Sequence, residues 1–123
     1  MVQVLLVAAG GALGAVARYL VGIAFFRRYP AFPYGTLFIN VSGCVLIGVF
    51  LAAAASRAPL NDAWRYLFPI GFVGAYTTFS TYEWELLQLS REDRWTAAAA
   101  YFTLSNAVGF GVVALGAAIG KRI

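Results

Sequence analysis

The sequence predicts an all-α integral membrane protein with four transmembrane helices in a single domain spanning residues 1–123. Three observations predict it. Hydrophobic residues make up 62% of the chain and charged residues 11%, against about 45–50% and about 25% in a soluble domain. A chain this short buries proportionally little surface, so the apolar surplus has to face lipid. The charged residues fall mainly between apolar stretches, and each stretch approaches the roughly 20 helical residues that a hydrocarbon layer of about 30 Å requires.

The first span runs from Val2 to Phe26, interrupted by Arg18, and Arg27, Arg28 and Pro30 end it. Ala15-Val16-Ala17 has the small residues of a signal-peptidase site, but no basic segment precedes the apolar run, so it is read as a retained span. The second span covers Gly35 to Ser56 and closes on the polar turn Arg57, Pro59, Asn61 and Asp62. The third extends from Tyr66 to Leu89, and the fourth from Trp95 to Gly120, stopped by Lys121-Arg122. Short loops make successive helices antiparallel neighbours in one bundle. Tyr29, Tyr34, Trp64, Tyr66 and Trp95 stand near span ends, where aromatic side chains anchor at the interface.

Helices associate in lipid by close packing of small residues. Gly10, Gly14, Arg18 and Gly22 share one face of the first helix. Tyr101, Ser105 and Gly109 share one face of the fourth, continued by Gly116 and Gly120. The hydroxyls of Tyr101 and Ser105 thus point away from lipid and need partners there. Cys44 is the single cysteine, so no disulfide exists within the chain. There is no histidine, which removes the commonest general base and metal ligand. With no nucleophile–base pair or metal constellation, the chain is not read as an enzyme. The net charge of +4 is membrane-surface charge between spans, and no nucleic-acid partner is expected.

Polar groups at membrane depth are costly and mark functional positions. Arg18 either snorkels or supplies positive charge to an aqueous vestibule. Asn40 either joins helices or offers its two amide N–H donors to an anion. Gly71-Phe72-Val73-Gly74-Ala75-Tyr76-Thr77-Thr78-Phe79-Ser80-Thr81-Tyr82 combines two glycines with a cluster of hydroxyls. Both weaken a helix, which predicts a break in the third helix near Gly74–Thr78. Freed carbonyls there suit a cation, and a half-helix N-terminus suits an anion. Glu83 and Glu85 follow on different sides of the helix, Glu83 toward solvent or headgroups and Glu85 toward a vestibule.

These residues resemble the small bacterial fluoride channels of the Fluc or CrcB family. The matching features are Gly10-Gly11-Ala12-Leu13-Gly14 with Arg18-Tyr19, Gly35-Thr36-Leu37 with Asn40 and Gly43, Gly71 and Gly74 with Thr77-Thr78-Phe79-Ser80-Thr81, and Tyr101 with Ser105 and Gly109. The resemblance covers nearly the whole chain. It implies an antiparallel homodimer with two fluoride pores, in the inner (plasma) membrane of a bacterium. It implies that Asn40 and Phe79 line the pore, with hydroxyls from Thr78, Ser80, Thr81, Tyr101 and Ser105. It further implies that the backbone carbonyls of Gly74 and Thr77 from both subunits hold a central, structural sodium ion. One position departs from the pattern. The family's second phenylalanine is Tyr82 here, whose ring edge is retained while a hydroxyl adds a donor and bulk. A pore for a small, strongly hydrated anion has to replace water with donors without holding the ion tightly.

Two other readings compete. A small multidrug-type antiporter needs a membrane-embedded carboxylate for proton coupling, whereas the first span carries Arg18. A non-transporting scaffold needs no polar, broken third helix. The loop charges bear on orientation. Arg57, Arg65, Lys121 and Arg122 lie on one side and Arg27, Arg28, Arg91 and Arg94 on the other. The bias that normally sets topology is therefore zero. Both orientations are expected, and a two-fold axis in the membrane plane would bring two copies of the helix break together.

Overall fold

The computed structural model describes residues 1–56 and 61–123. Helix α1 is Val2–Arg28 and α2 is Tyr34–Ser56. Helix α3 runs through three continuous stretches, Asp62–Arg65, Tyr66–Val73 and Gly74–Tyr76. Helix α4 is Phe79–Arg91 and α5 is Trp95–Gly120. Among the described residues there is no strand. Three helices, α1, α2 and α5, are each long and apolar enough to cross a membrane, so the chain is a multi-pass membrane protein. The expected third span is divided into α3 and α4. Arg57 and Pro59 lie outside the described residues.

The helix ends follow from local chemistry. Asn61 caps α3 by accepting the Ala63 N–H at 3.0 Å, which starts this helix four residues before the expected Tyr66. Pro69 lies inside α3 and brings no N–H. The backbone accommodates it by widening to π-type turns over Tyr66–Val73. A second π stretch covers Leu104–Val108 within α5. After α4, Asp93 takes a left-handed conformation (φ 55°) and Arg94 N–H returns to the Leu89 carbonyl at 2.9 Å, closing the helix as a Schellman turn.

Helices pair where glycine lets backbones touch. A Cβ on Gly10 would meet the Leu67 carbonyl, and one on Gly14 the Phe72 carbonyl, so α1 seats directly on α3. Gly48, Gly116 and Gly120 bring α2 against α5 in the same way, each facing a carbonyl of the other helix. The face predicted on α1 is divided in use. Gly10 and Gly14 pack on α3, Gly22 packs on Gly35 of α2, and Arg18 and Gly22 border an open cavity. The molecular surface is 7901 Å², against about 6,400 Å² for a soluble monomer of this mass. Large apolar side chains cover much of it, from Val4 and Leu5 on α1 to Phe110 and Leu115 on α5. The densest core is small: Tyr82, Leu89, Ala98 and Tyr101.

The helix break falls at Thr77–Thr78. Thr77 (φ −78°, ψ 157°) and Thr78 (φ −148°, ψ 119°) are extended. Gly74, in contrast, keeps helical angles, so hydroxyl residues rather than glycines carry the break. Asn40 of α2 holds it open: its Oδ1 accepts the Thr78 N–H at 2.8 Å and its Nδ2 donates to the Thr78 carbonyl at 3.0 Å. The side-chain amide thus pairs with one residue's backbone as a neighbouring strand would. Gly43, one turn along α2, has no Cβ to collide with Thr77 Cγ2.

Replacing Asn40 with Leu would leave both Thr78 backbone groups unpaired, at about 1–3 kcal/mol each. The expected outcome is a clearly lower thermal unfolding midpoint in detergent, with a smaller drop for Asn40→Asp, which keeps one acceptor. An unchanged midpoint for Asn40→Leu would show that the clamp is dispensable.

Candidate functional site

A cavity of about 610 Å³ opens between α1, α2 and α4. Arg18 and Tyr19 line it from α1, Thr36 and Ile39 from α2, and Thr78, Thr81, Glu85 and Gln88 from the break and α4. Its mouth carries Glu92 and Arg94. Arg94 donates to the Ala31 carbonyl at 2.6 Å and pairs with Glu92 at 3.5 Å, which ties the α1–α2 loop to the end of α4. Arg18 forms no ion pair among the described residues, so its charge is free to act on the cavity.

The cavity reaches the N-terminus of α4. The first N–H groups of a helix have no intrahelical acceptor. Thr78 Oγ1 accepts that of Thr81 at 3.3 Å and donates its own proton to Thr81 Oγ1 at 3.0 Å. The N–H groups of Phe79 and Ser80 remain, at the positive end of the helix dipole. Arg18 and this helix end give the cavity two sources of positive potential. Glu85 opposes them as a carboxylate on the wall. Thr36 donates to its Oε1 at 2.8 Å and Tyr101 to its Oε2 at 2.7 Å. These two donors spread the carboxylate charge, and they commit the Tyr101 proton to Glu85. Glu83, as expected, is exposed.

The break also frees acceptors. In a continuous helix the Gly74 and Thr77 carbonyls would accept from the N–H groups of Thr78 and Thr81. Those donors are taken by Asn40 and by Thr78 Oγ1. Two carbonyl oxygens are thereby released within one turn, and Gly74 is exposed. Carbonyl oxygens suit a hard cation such as sodium, so these residues fit the metal site that the resemblance implies.

The remaining candidates sit apart from the cavity. Phe79 is 72% exposed and Ser80 is exposed beside it. An aromatic series leads inward from Phe79 to Tyr82 (ring centroids 5.9 Å), from Tyr82 to Tyr101 edge-on (5.1 Å), and on to Phe32 edge-on (5.5 Å). Tyr101 is fully buried. Ser105 Oγ is buried and has no hydrogen-bond partner among the described residues, an orphan hydroxyl that suits an anionic acceptor.

The structure therefore brings Arg18, Thr78, Thr81 and Glu85 together in one cavity and leaves Gly74, Phe79 and Ser80 exposed. Tyr82 and Tyr101 are buried against each other, and Asn40 pairs with the break. Sequence reasoning gave no role to Thr36, although it stands four residues before Asn40 on the same face of α2. It also passed over Asn106, whose Nδ2 donates to Tyr82 Oη at 3.0 Å. The signal for Asn106 was the one used for Asn40: an amide near the middle of an apolar span.

Comparison with known proteins gives the family of the chain. Residues 5–117 match the family described as CrcB-like protein, Camphor Resistance (CrcB). A fluoride-specific ion channel FluC of Acidobacterium capsulatum is 49% identical over 118 residues, 95% of this chain and 94% of the relative. One of Nitrobacter winogradskyi is 47% identical over 121 residues, 98% and 96% of the two chains. One of Solibacter usitatus is 40% identical over 119 residues, 96% and 98%. With both the matched length and the identities spanning nearly all of its helices, the chain belongs to the CrcB family.

Proposed function

We propose that this protein is a fluoride-selective channel that exports fluoride by passive permeation across the bacterial inner membrane. The observation that carries the reading is the cavity that joins Arg18 to the positive end of α4 at a helix break. It draws an anion toward the break, and the residues beyond it replace water with hydroxyls, an amide and aromatic edges. Asn40, Phe79, Tyr82, Thr78, Ser80, Thr81, Tyr101 and Ser105 form the pathway in this reading, with Arg18 and Glu85 in the vestibule. The relatives named as fluoride-specific channels supply the ion.

The working unit in this reading is an antiparallel homodimer with two pores. The exposed Phe79, Ser80 and Gly74 are then covered by the second copy. Carbonyls of Gly74 and Thr77 from both copies hold a structural sodium ion on the two-fold axis. Such an ion would supply fixed positive charge and tie the two breaks together.

Glu85 is the feature that favours proton-coupled antiport as a second reading, because it is a carboxylate at membrane depth in an open cavity. Fluoride efflux from liposomes separates the two. A passive channel needs a parallel path for a counter-ion, so efflux should depend on valinomycin in potassium-loaded vesicles and exclude chloride. Efflux driven by a pH gradient without valinomycin would establish coupling instead.

Three outcomes are expected. Replacing Phe79 with Ile removes an aromatic contact worth about 1.5 kcal/mol and should cut fluoride flux about tenfold; full flux in the folded variant would remove Phe79 from the pathway. Exchanging sodium for N-methylglucamine should lower the unfolding midpoint of the purified protein, since a ligand at about a hundred times its dissociation constant stabilises by about 2.7 kcal/mol. Identical midpoints would argue against the ion. Reporters fused to the C-terminus should appear on both sides of the membrane in comparable amounts, and a single location would rule out the antiparallel pairing.

A further inference from the structure

Asn106 lies near the middle of α5 and is exposed on the single chain. Its Nδ2 donates to the Phe102 carbonyl at 2.8 Å and to Tyr82 Oη at 3.0 Å. An amide nitrogen carries two hydrogens, and both are used. The Phe102 carbonyl can only accept, so it fixes which end of the amide faces Tyr82. The Tyr82 oxygen therefore acts as acceptor, and its own proton has to go to another group. Among the described residues no acceptor takes it. Tyr82 is buried, with its ring between those of Phe79 and Tyr101.

We propose that Asn106 is a positioning residue that turns the Tyr82 hydroxyl into a dedicated hydrogen-bond donor for the permeating anion. The proposal rests on the channel reading above and adds to it the residue that sets the Tyr82 hydroxyl. A phenylalanine at this position would offer an anion only the weakly positive rim of its ring. Tyr82 offers an O–H, and the N–H that Asn106 donates to its oxygen orients the hydroxyl and polarises it toward donating its own proton. Fluoride accepts hydrogen bonds more strongly than chloride, so an oriented O–H tightens fluoride binding at this point and favours it over the larger halide.

The test is a double-mutant cycle on the full-length protein in liposomes, with efflux measured across a range of fluoride concentrations. Asn106→Leu and Tyr82→Phe should each raise the half-saturating fluoride concentration about fivefold, the size of one neutral hydrogen bond. In the Tyr82→Phe background, Asn106→Leu should cause no further shift. A purely structural amide would instead lower maximal flux equally in both backgrounds. That result, or an unshifted half-saturation in both single variants, overturns the proposal while wild-type flux leaves the channel reading intact. Should Asn106→Leu fail to assemble, Asn106→Ala serves the same comparison. Absence of fluoride flux from the wild type would overturn the channel reading, and this proposal with it.

Discussion

Thr78 sets the terms for the rest of the molecule. Its backbone is extended inside a helical membrane domain, where unpaired N–H and C=O groups cost several kcal/mol each. The Asn40 amide meets both groups at once. By capturing the Thr78 N–H it releases the Gly74 carbonyl, and by capping Thr81 the Thr78 hydroxyl releases that of Thr77. One clamp therefore creates acceptors at the end of α3 and unpaired donors at the start of α4. Neither set would exist in a continuous helix.

Packing sets where these groups lie. Gly43 admits the Thr77 side chain against α2, which keeps Asn40 within reach of Thr78. Gly10 and Gly14 seat α1 on α3, and Gly22 meets Gly35 of α2, with Arg18 between them lining the cavity. On the other side α2 and α5 meet through Gly48, Gly116 and Gly120. That contact sets α5 beside α2, and Tyr101 and Thr36 both reach Glu85. The small residues thus determine which polar groups share a space, although they contribute no chemistry of their own.

Much of this was legible in the sequence. The apolar runs and their charged stops gave α1, α2 and α5 to within a few residues, because lipid imposes one length on every crossing helix. The Thr-Thr-Phe-Ser-Thr run after two glycines pointed to the break, and cost at membrane depth singled out Arg18 and Glu85, which line one cavity. The π turns of α3 were not legible, because Pro69 alone does not say whether a helix kinks, breaks or widens. Nor were the pairs Thr36–Glu85, Tyr101–Glu85 and Asn106–Tyr82, which join helices far apart in sequence. Each partner is visible as a polar residue in an apolar span, but the choice of partner depends on helix rotation. Asn40 shows the same division. Its importance was evident, yet both its hydrogen bonds go to the Thr78 backbone, so the amide serves first as a joint between helices.

The distribution of polar groups makes the final argument. A lone chain in lipid would expose Gly74 with its free carbonyl, Ser80 and Asn106 at or near membrane depth. Hydrocarbon offers these groups nothing to bond, and small residues with scattered polar groups are what helix–helix interfaces in membranes use. The exposed ring of Phe79 could face lipid without cost, so it is the polar groups that require cover. Water or protein has to supply it. A second copy in the proposed antiparallel arrangement would bring its own break to the same depth, where four carbonyls and two α4 N-termini could be satisfied by one cation and by passing anions. The same groups that are expensive on the single chain would then become the working parts of the pair.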